Sequence, residues 1–221
     1  MTRDVRAIVA VFAGLFGGTA ATLLMDPPAK GWFVFALVVA FNVALPLTAK
    51  AVGRDDWFAM WALLLPISVL QIVPDWILAD LIGTLRFPDI GGPRVDDVIH
   101  LAMGGMWVAP LFIVLALSAG SPARAAGLAL VVFLGSELLA PTLKLWEPAG
   151  DPTELAGVAL YVLPAEAALG WATATAYLAL QGRSPGWAVR VGLGAAVATF
   201  YTGALVVSYF FIDVAGWSLT T

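Results

Sequence analysis

The sequence predicts an all-α, polytopic integral membrane protein with seven transmembrane helices in one bundle. Two observations carry that prediction. The chain of 221 residues is 61% hydrophobic and only 12% charged, whereas soluble domains average about 25% charged residues. Its mean hydropathy is +0.94, and apolar stretches long enough to cross a hydrocarbon core of about 30 Å recur from end to end. A single transmembrane domain over residues 1–221 accounts for the whole pattern.

The predicted spans are Val5–Met25, Gly31–Val52, Trp57–Gly83, Val98–Ala119, Ala123–Trp146, Leu155–Leu180 and Trp187–Gly216. Arg3 and Arg6 precede the first span, but its apolar part is longer than the core of a secretory signal, so it reads as a helix. Gly14 and Gly18 there form a GxxxG, a spacing suited to close helix packing. The second span carries Asn42 and Pro46 deep within it. The third is over-long and holds Pro66 and Pro74, which predicts a tilted or kinked helix. Trp32, Trp57, Trp146, Trp187 and Trp217, five of nine tryptophans, fall at span ends, where an aromatic belt is expected.

Orientation follows from the basic residues. Arg3, Arg6, Lys50, Arg54, Arg124, Arg183 and Arg190 lie on the N-terminal side, against Lys30, Arg86, Arg94 and Lys144 on the other. This bias predicts a multi-pass protein of the cell's inner (plasma) membrane, with the N-terminus cytoplasmic and the C-terminus outside. The net charge of −4 comes without a basic tail, so no nucleic-acid partner is expected. Cysteine is absent, which excludes disulfides, thiolate metal sites and thiol nucleophiles. With one histidine as well, a metal site is not expected.

Charge concentrates between Pro74 and Trp107, in "PDWILADLIGTLRFPDIGGPRVDDVIHLAMGGMW", which contains five aspartates, two arginines and the only histidine. Ionisable groups at membrane depth cost roughly 2.5–3.5 kcal/mol each and usually face a partner or a wet cavity. Asp75 lies about 27 Å along the third helix from Trp57, near its outer end. Asp80 falls on another face, at headgroup level. Glu137 lies about 13 Å below the outer end of the fifth span and shares a face with Lys144, with Pro141 between them. Glu166 lies about 18 Å beyond Glu154 along the sixth, beside a break at Pro164. His100 opens the fourth helix with Asp96 and Asp97 behind it on one face, an arrangement equally suited to capping or to proton transfer. Asp75, Glu137, Glu166 and His100 are therefore the candidate catalytic groups, lining one outward-facing cavity. Trp76, Trp107 and Trp171, Asn42, and Arg86 with Arg94 are the candidate substrate contacts. The arginines can hold an anionic headgroup or pair with neighbouring aspartates.

Among seven-helix classes, microbial rhodopsins need a lysine in the last helix, and Trp187–Gly216 contains none. In size, span count and intramembrane acids the chain resembles the integral membrane terpene cyclases. "VLPAEAALGW" is similar to the Pro-x-Glu-Glu stretch of lycopene cyclases, with Ala167 in place of the second glutamate. The "PDW…FPD…GGPR…MGGMW" series also looks like a group of uncharacterised bacterial membrane proteins, which implies no activity. The cyclase resemblance implies acid–base chemistry on a lipophilic, isoprenoid-like substrate, without metal or redox cofactor. Asp75 or Glu166 would give a proton, and Glu137 or His100 would take one. The other reading is a non-catalytic lipid- or ion-binding protein, either a proton-coupled transporter or an assembly factor, since buried acids and proline-broken helices also build proton relays. Membrane lipids are partners on either reading.

Overall fold

The computed structural model describes residues 1–183 and 185–215. The expected end of the seventh span at Gly216 and the belt position of Trp217 lie outside them. The protein is mostly helical: α1 (Arg3–Ala21), α2 (Ala29–Ala51), α3 (Asp55–Leu70), α4 (Ile72–Trp76), α5 (Met103–Met106), α6 (Val108–Leu117), α7 (Pro122–Leu143), α8 (Val162–Leu180) and α9 (Trp187–Tyr209). Wide π-type turns extend α4 through Ile77–Ile82 and α9 through Phe210–Val214. Five helical stretches are long and apolar enough to cross a membrane: Arg3–Leu24, Ala29–Ala51, Asp55–Ile82, Pro122–Leu143 and Trp187–Val214. Met103–Leu117 is shorter. These helices and α8 occupy the seven expected stretches.

The third stretch shows how its sequence shapes it. Pro74 has no N–H to offer the Leu70 carbonyl, so the regular helix lapses at Gln71 and resumes as α4. Gln71 still donates to the Ile67 carbonyl at 3.1 Å and accepts from Asp75 N–H at 3.2 Å, which keeps the axis continuous. The lapse turns Asp75 into the bundle. Pro164 behaves differently from expectation. It lies in the first turn of α8, where its missing N–H has no intrahelical partner to lose, so it breaks nothing.

Two expected spans begin later than their hydropathy suggests. Residues before α5 fold as a hairpin of β2 (Arg94–Val95) with β3 (Ile99–His100), and those before α8 as a hairpin of β5 (Glu154–Leu155) with β6 (Val158–Ala159). Asp96 and Asp97, expected on a helix, form the first turn with φ of 52° and 53°, a conformation that aspartate tolerates better than most residues. A third pairing, β1 (Leu85–Arg86) with β4 (Glu147–Pro148), ties the two long loops together. Tyr161 O–H donates to Thr84 Oγ1 at 2.9 Å, and Thr153 N–H to Asp213 at 2.6 Å, fastening that end of the bundle. At the opposite end Arg54 bridges Asp4 and Asp56, and Arg190 reaches the Ala59 carbonyl.

A main core runs between α2, α3, α6, α7, α8 and α9, and a smaller one joins Val34 and Val38 of α2 to Ile90, Ala140, Leu143 and Leu145. α1 has no buried residue and lies at the periphery. Gly18 of the GxxxG meets Leu37, whereas Gly14 faces open space. The tightest approach is at Gly31, whose N–H donates to the Ile90 carbonyl at 2.8 Å. A Cβ there would sit 1.8 Å from the Gly91 carbonyl oxygen. Gly31→Ala should therefore lower the thermal midpoint in detergent, by the equivalent of about 1–3 kcal/mol or more. Gly14→Ala, with nothing to strike, should leave it unchanged or raise it. Equal midpoints for the two variants would contradict this packing.

Candidate functional site

Three carboxyl groups converge where α4, α7 and α8 meet α9. Asp75 is 4% exposed and Glu166 1% exposed. Glu137, on α7, is half-buried because one side borders open space. It lies within electrostatic range of both Asp75 and Glu166. Among the described residues no arginine or lysine forms an ion pair with any of the three. One oxygen each of Asp75 and Glu166 has no hydrogen-bond partner, and the Trp107 side chain stands at the Asp75 carboxyl. Gln71, one turn before Asp75, is fully buried with both amide atoms unpaired.

Two cavities meet at this cluster. The larger, about 190 Å³, is walled by α1, α2, α5, α6 and α7. Its lining is apolar and aromatic, including Phe41, Phe133, Met106 and Trp107. The smaller, about 20 Å³, lies among Asp75, Glu137, Trp107, Trp146 and Tyr201. That is room for about one water molecule, with polar groups around it to satisfy one. Glu137, Met103, Trp107 and Trp146 line both cavities. Among the described residues, Glu137 is thus the one acid that lines the apolar chamber.

Local structure explains this placement. α7 ends where Lys144 adopts a left-handed conformation (φ 58°) and Leu145 N–H returns to the Ala140 carbonyl at 3.0 Å, a Schellman-type stop. The chain folds back, and Trp146 Nε1–H donates to Glu137 Oε1 at 2.9 Å. Pro141, four residues after Glu137, deprives the Glu137 carbonyl of its helical donor. On the other side, the helix lapses at Trp107 between α5 and α6, and its backbone N–H donates to Ser68 Oγ at 3.1 Å. This lapse aims the indole between the cavities, where it meets Phe133 at 5.1 Å and Tyr201 at 5.9 Å.

The remaining expected site residues divide clearly. Glu166 belongs to the carboxyl cluster but borders neither cavity, and it stands only four residues into α8, about 6 Å along its axis. His100 does not open a helix and is not brought to the cavities. It is 5% exposed, in β3, with Nε2–H donating to the Pro88 carbonyl at 2.8 Å. Arg94 clamps the same loop through the Phe87 and Val98 carbonyls, with Asp89 at 3.7 Å. Arg86 pairs with Glu147 across β1 and β4. Asn42 bridges α2 to α5 by donating to the Val38 and Gly105 carbonyls, both at 3.0 Å. Trp76 packs against the core outside both cavities, and Trp171 is 45% exposed, stacked on Phe200. Lys144, expected to share Glu137's cavity, is an exposed cap. Tyr201 and Trp146 were not among the expected site residues. Tyr201 gave no sequence signal inside an apolar span, and Trp146 was assigned to the belt. Trp57, another expected belt residue, is buried at 7% exposure under Arg54.

Fold and cluster together define a helical bundle, five of its helical stretches long and apolar enough to cross a membrane, with an acidic centre beside an apolar chamber. Over residues 72–212 the chain matches the family model of the domain of unknown function DUF6989, and it belongs to that family. No curated protein and no solved structure matches it. The matched segment contains Asp75, Glu137, Glu166 and Tyr201, while α1 and α2 lie outside it.

The structural role of His100 has a pH signature. Burial pushes its imidazole below the ordinary histidine range, with Arg94 acting in the same direction and the Pro88 carbonyl and Asp89 opposing it. The folded state then binds fewer protons than the unfolded one. Its contribution to stability is therefore full above about pH 6.5, the unfolded value, and declines as pH falls below it. Thermal midpoints between pH 7.5 and 5 should drop more for the native protein than for His100→Gln; parallel curves would show that the imidazole stays accessible in the fold.

Proposed function

We propose that this protein is a membrane-embedded acid–base enzyme acting on a lipophilic, isoprenoid-like substrate as a cofactor-independent cyclase or isomerase. The observation that carries the reading is that Glu137 borders both the apolar chamber and the small cavity lined by Asp75 and Tyr201. A cavity of about 150 Å³ lined by apolar side chains binds benzene, so a chamber of about 190 Å³ suits a ring-sized portion of a hydrocarbon. Glu137 adds a proton to one carbon of an alkene in the chamber, leaving a carbocation at its neighbour. The faces of Trp107, Phe133 and Phe41 stabilise that charge. Attack by a second double bond closes a ring, and loss of a proton to the Glu137 carboxylate restores the acid. The sum needs no co-reactant. Asp75 exchanges protons with Glu137 through the water-sized cavity, and Glu166 sets their shared charge from behind.

Incubating the purified protein in deuterated water with geranylgeraniol, squalene or lycopene tests this. Carbon-bound deuterium should appear in a recovered isomer or ring product. Glu137→Gln should cut its formation by about 100-fold or more while leaving substrate binding intact, and Asp75→Asn should slow it less. No deuterium on carbon, together with Glu137-dependent proton uptake in liposomes, would move the protein to the transporter class. The lapse beside Asp75 and the buried Gln71 are the features that favour that second reading.

We further propose that all seven helical stretches cross the plasma membrane, with the N-terminus in the cytoplasm and the C-terminus outside. The ion pair of Arg54 with Asp4 and the pairing of β1 with β4 support the alternation, by grouping loops of like side at each end. Because the chain has no cysteine, single replacements report cleanly. A membrane-impermeant thiol reagent on whole cells should label Glu154→Cys and spare Lys50→Cys; the reverse pattern would invert the topology.

A further inference from the structure

The apolar chamber reaches the outside of the bundle along one edge. Two of its lining residues, Phe16 of α1 and Leu139 of α7, are 57% and 60% exposed. Every other residue of its lining is buried or half-buried. On α7 the lining residues form an arc. Leu139 and Glu137, two positions apart, stand about 160° apart around the helix, and Ser136, Ala140 and Leu143 fill the arc between them. α7 thus carries the chamber wall from an exposed rim at Leu139 to the acid at Glu137. Across from it, Leu15 of α1 packs against the main core while Phe16 turns outward. α1 and α7 both belong to stretches long and apolar enough to cross a membrane. An opening between two such helices faces lipid hydrocarbon rather than water.

We infer that the gap between Phe16 and Leu139 is a side entrance admitting one end of a long acyclic isoprenoid chain from the lipid phase, while the rest of the chain stays outside. This rests on the reading of the chamber as a substrate cavity and narrows its substrates to molecules longer than the chamber. Size is the reason. A chamber of about 190 Å³, little larger than one that binds benzene, holds a ring's worth of carbon and not a chain of about twenty carbons or more. A sealed cavity of this size would take small molecules only, whereas an edge open to lipid lets the remainder of a chain lie beside α1 and α7. The end that enters meets Glu137 on the far edge of the α7 arc. Protonation therefore falls on the double bond nearest the chain terminus, and the same terminal unit closes its ring and returns the proton to Glu137.

Because the chain has no cysteine, single thiols at the rim test the entrance directly. Leu139→Cys and Phe16→Cys, in the full-length protein in neutral detergent, are labelled with N-phenylmaleimide in the presence of squalene, geraniol or neither. Both rim residues are exposed, so neither exchange empties the core. Squalene at about ten times its Kd should slow both reactions by about tenfold, as occupancy of one site requires. Geraniol, short enough to lie inside, should slow neither. Val131→Cys, also exposed on α7 but outside the chamber lining, should react at one rate throughout. Unchanged labelling with squalene, or equal slowing at Val131→Cys, overturns the entrance. Equal slowing by geraniol overturns the selection of long chains. Carbon-bound deuterium in a squalene product without rim protection overturns the entrance and leaves the acid–base reading intact, and rim protection without deuterium does the reverse.

Discussion

Removing a carboxyl group from water into an apolar helix bundle costs several kcal/mol unless something compensates. This protein does so with Glu137 within electrostatic range of both Asp75 and Glu166 and, among the described residues, with no basic side chain paired to them. Arginines are not scarce near by. Arg86 and Arg94 lie in the loop after Asp75, yet the folded chain commits them to Glu147 and to backbone carbonyls. A bundle seeking only stability would have paired these charges or replaced the acids with leucine, since a well-packed apolar substitute is often neutral or better. Keeping the basic groups outside leaves the acids free to exchange protons.

The same constraint explains the irregular backbone. Within a membrane each carbonyl must find a donor or lie where protein or water can supply one. Pro74 and Pro141 each free a carbonyl in a helix, and each stands next to, or four residues from, a cluster acid. Trp107, at the lapse between α5 and α6, fills the space between the two cavities. Regular helices would present their side chains at fixed intervals of about 100°, and these lapses let three helices turn acids and an indole toward one point.

Hydropathy made the seven stretches and the all-α class legible, because an apolar run of twenty residues has few other uses. It overshot at the starts of α5 and α8. Ile99, Val158 and Ala159 are as apolar as helix residues, but they are buried in short hairpins with the residues just before them, whose turns take positive φ at Asp96, Asp97, Ala156 and Gly157, which hydropathy does not record. Asp75, Glu137 and Glu166 stood out as isolated acids in greasy surroundings, and the structure gathers them. His100 stood out for the same reason, yet its environment is a loop carbonyl rather than the cluster. Rarity of a residue type marks where charge is buried, and only packing decides whether it is buried as chemistry or as a clasp. Tyr201 and Trp146 show the converse, being ordinary aromatics until α9 and the turn after α7 bring them to the acids.

That turn links two parts of the molecule that otherwise have nothing in common. A left-handed lysine costs on the order of 1–2 kcal/mol relative to a right-handed one, and glycine would adopt φ 58° at Lys144 freely. The conformation reverses the chain, so Trp146 reaches back to Glu137 while the Lys144 side chain stays exposed. Holding one Glu137 oxygen with an indole N–H fixes the carboxyl's direction and leaves its second oxygen for the chamber. Glycine at this position would make the same turn and the same tryptophan contact without that cost. The reversal after α7 therefore does for Glu137 what no residue of α7 does, bringing a donor from the following loop to a carboxyl that borders both cavities.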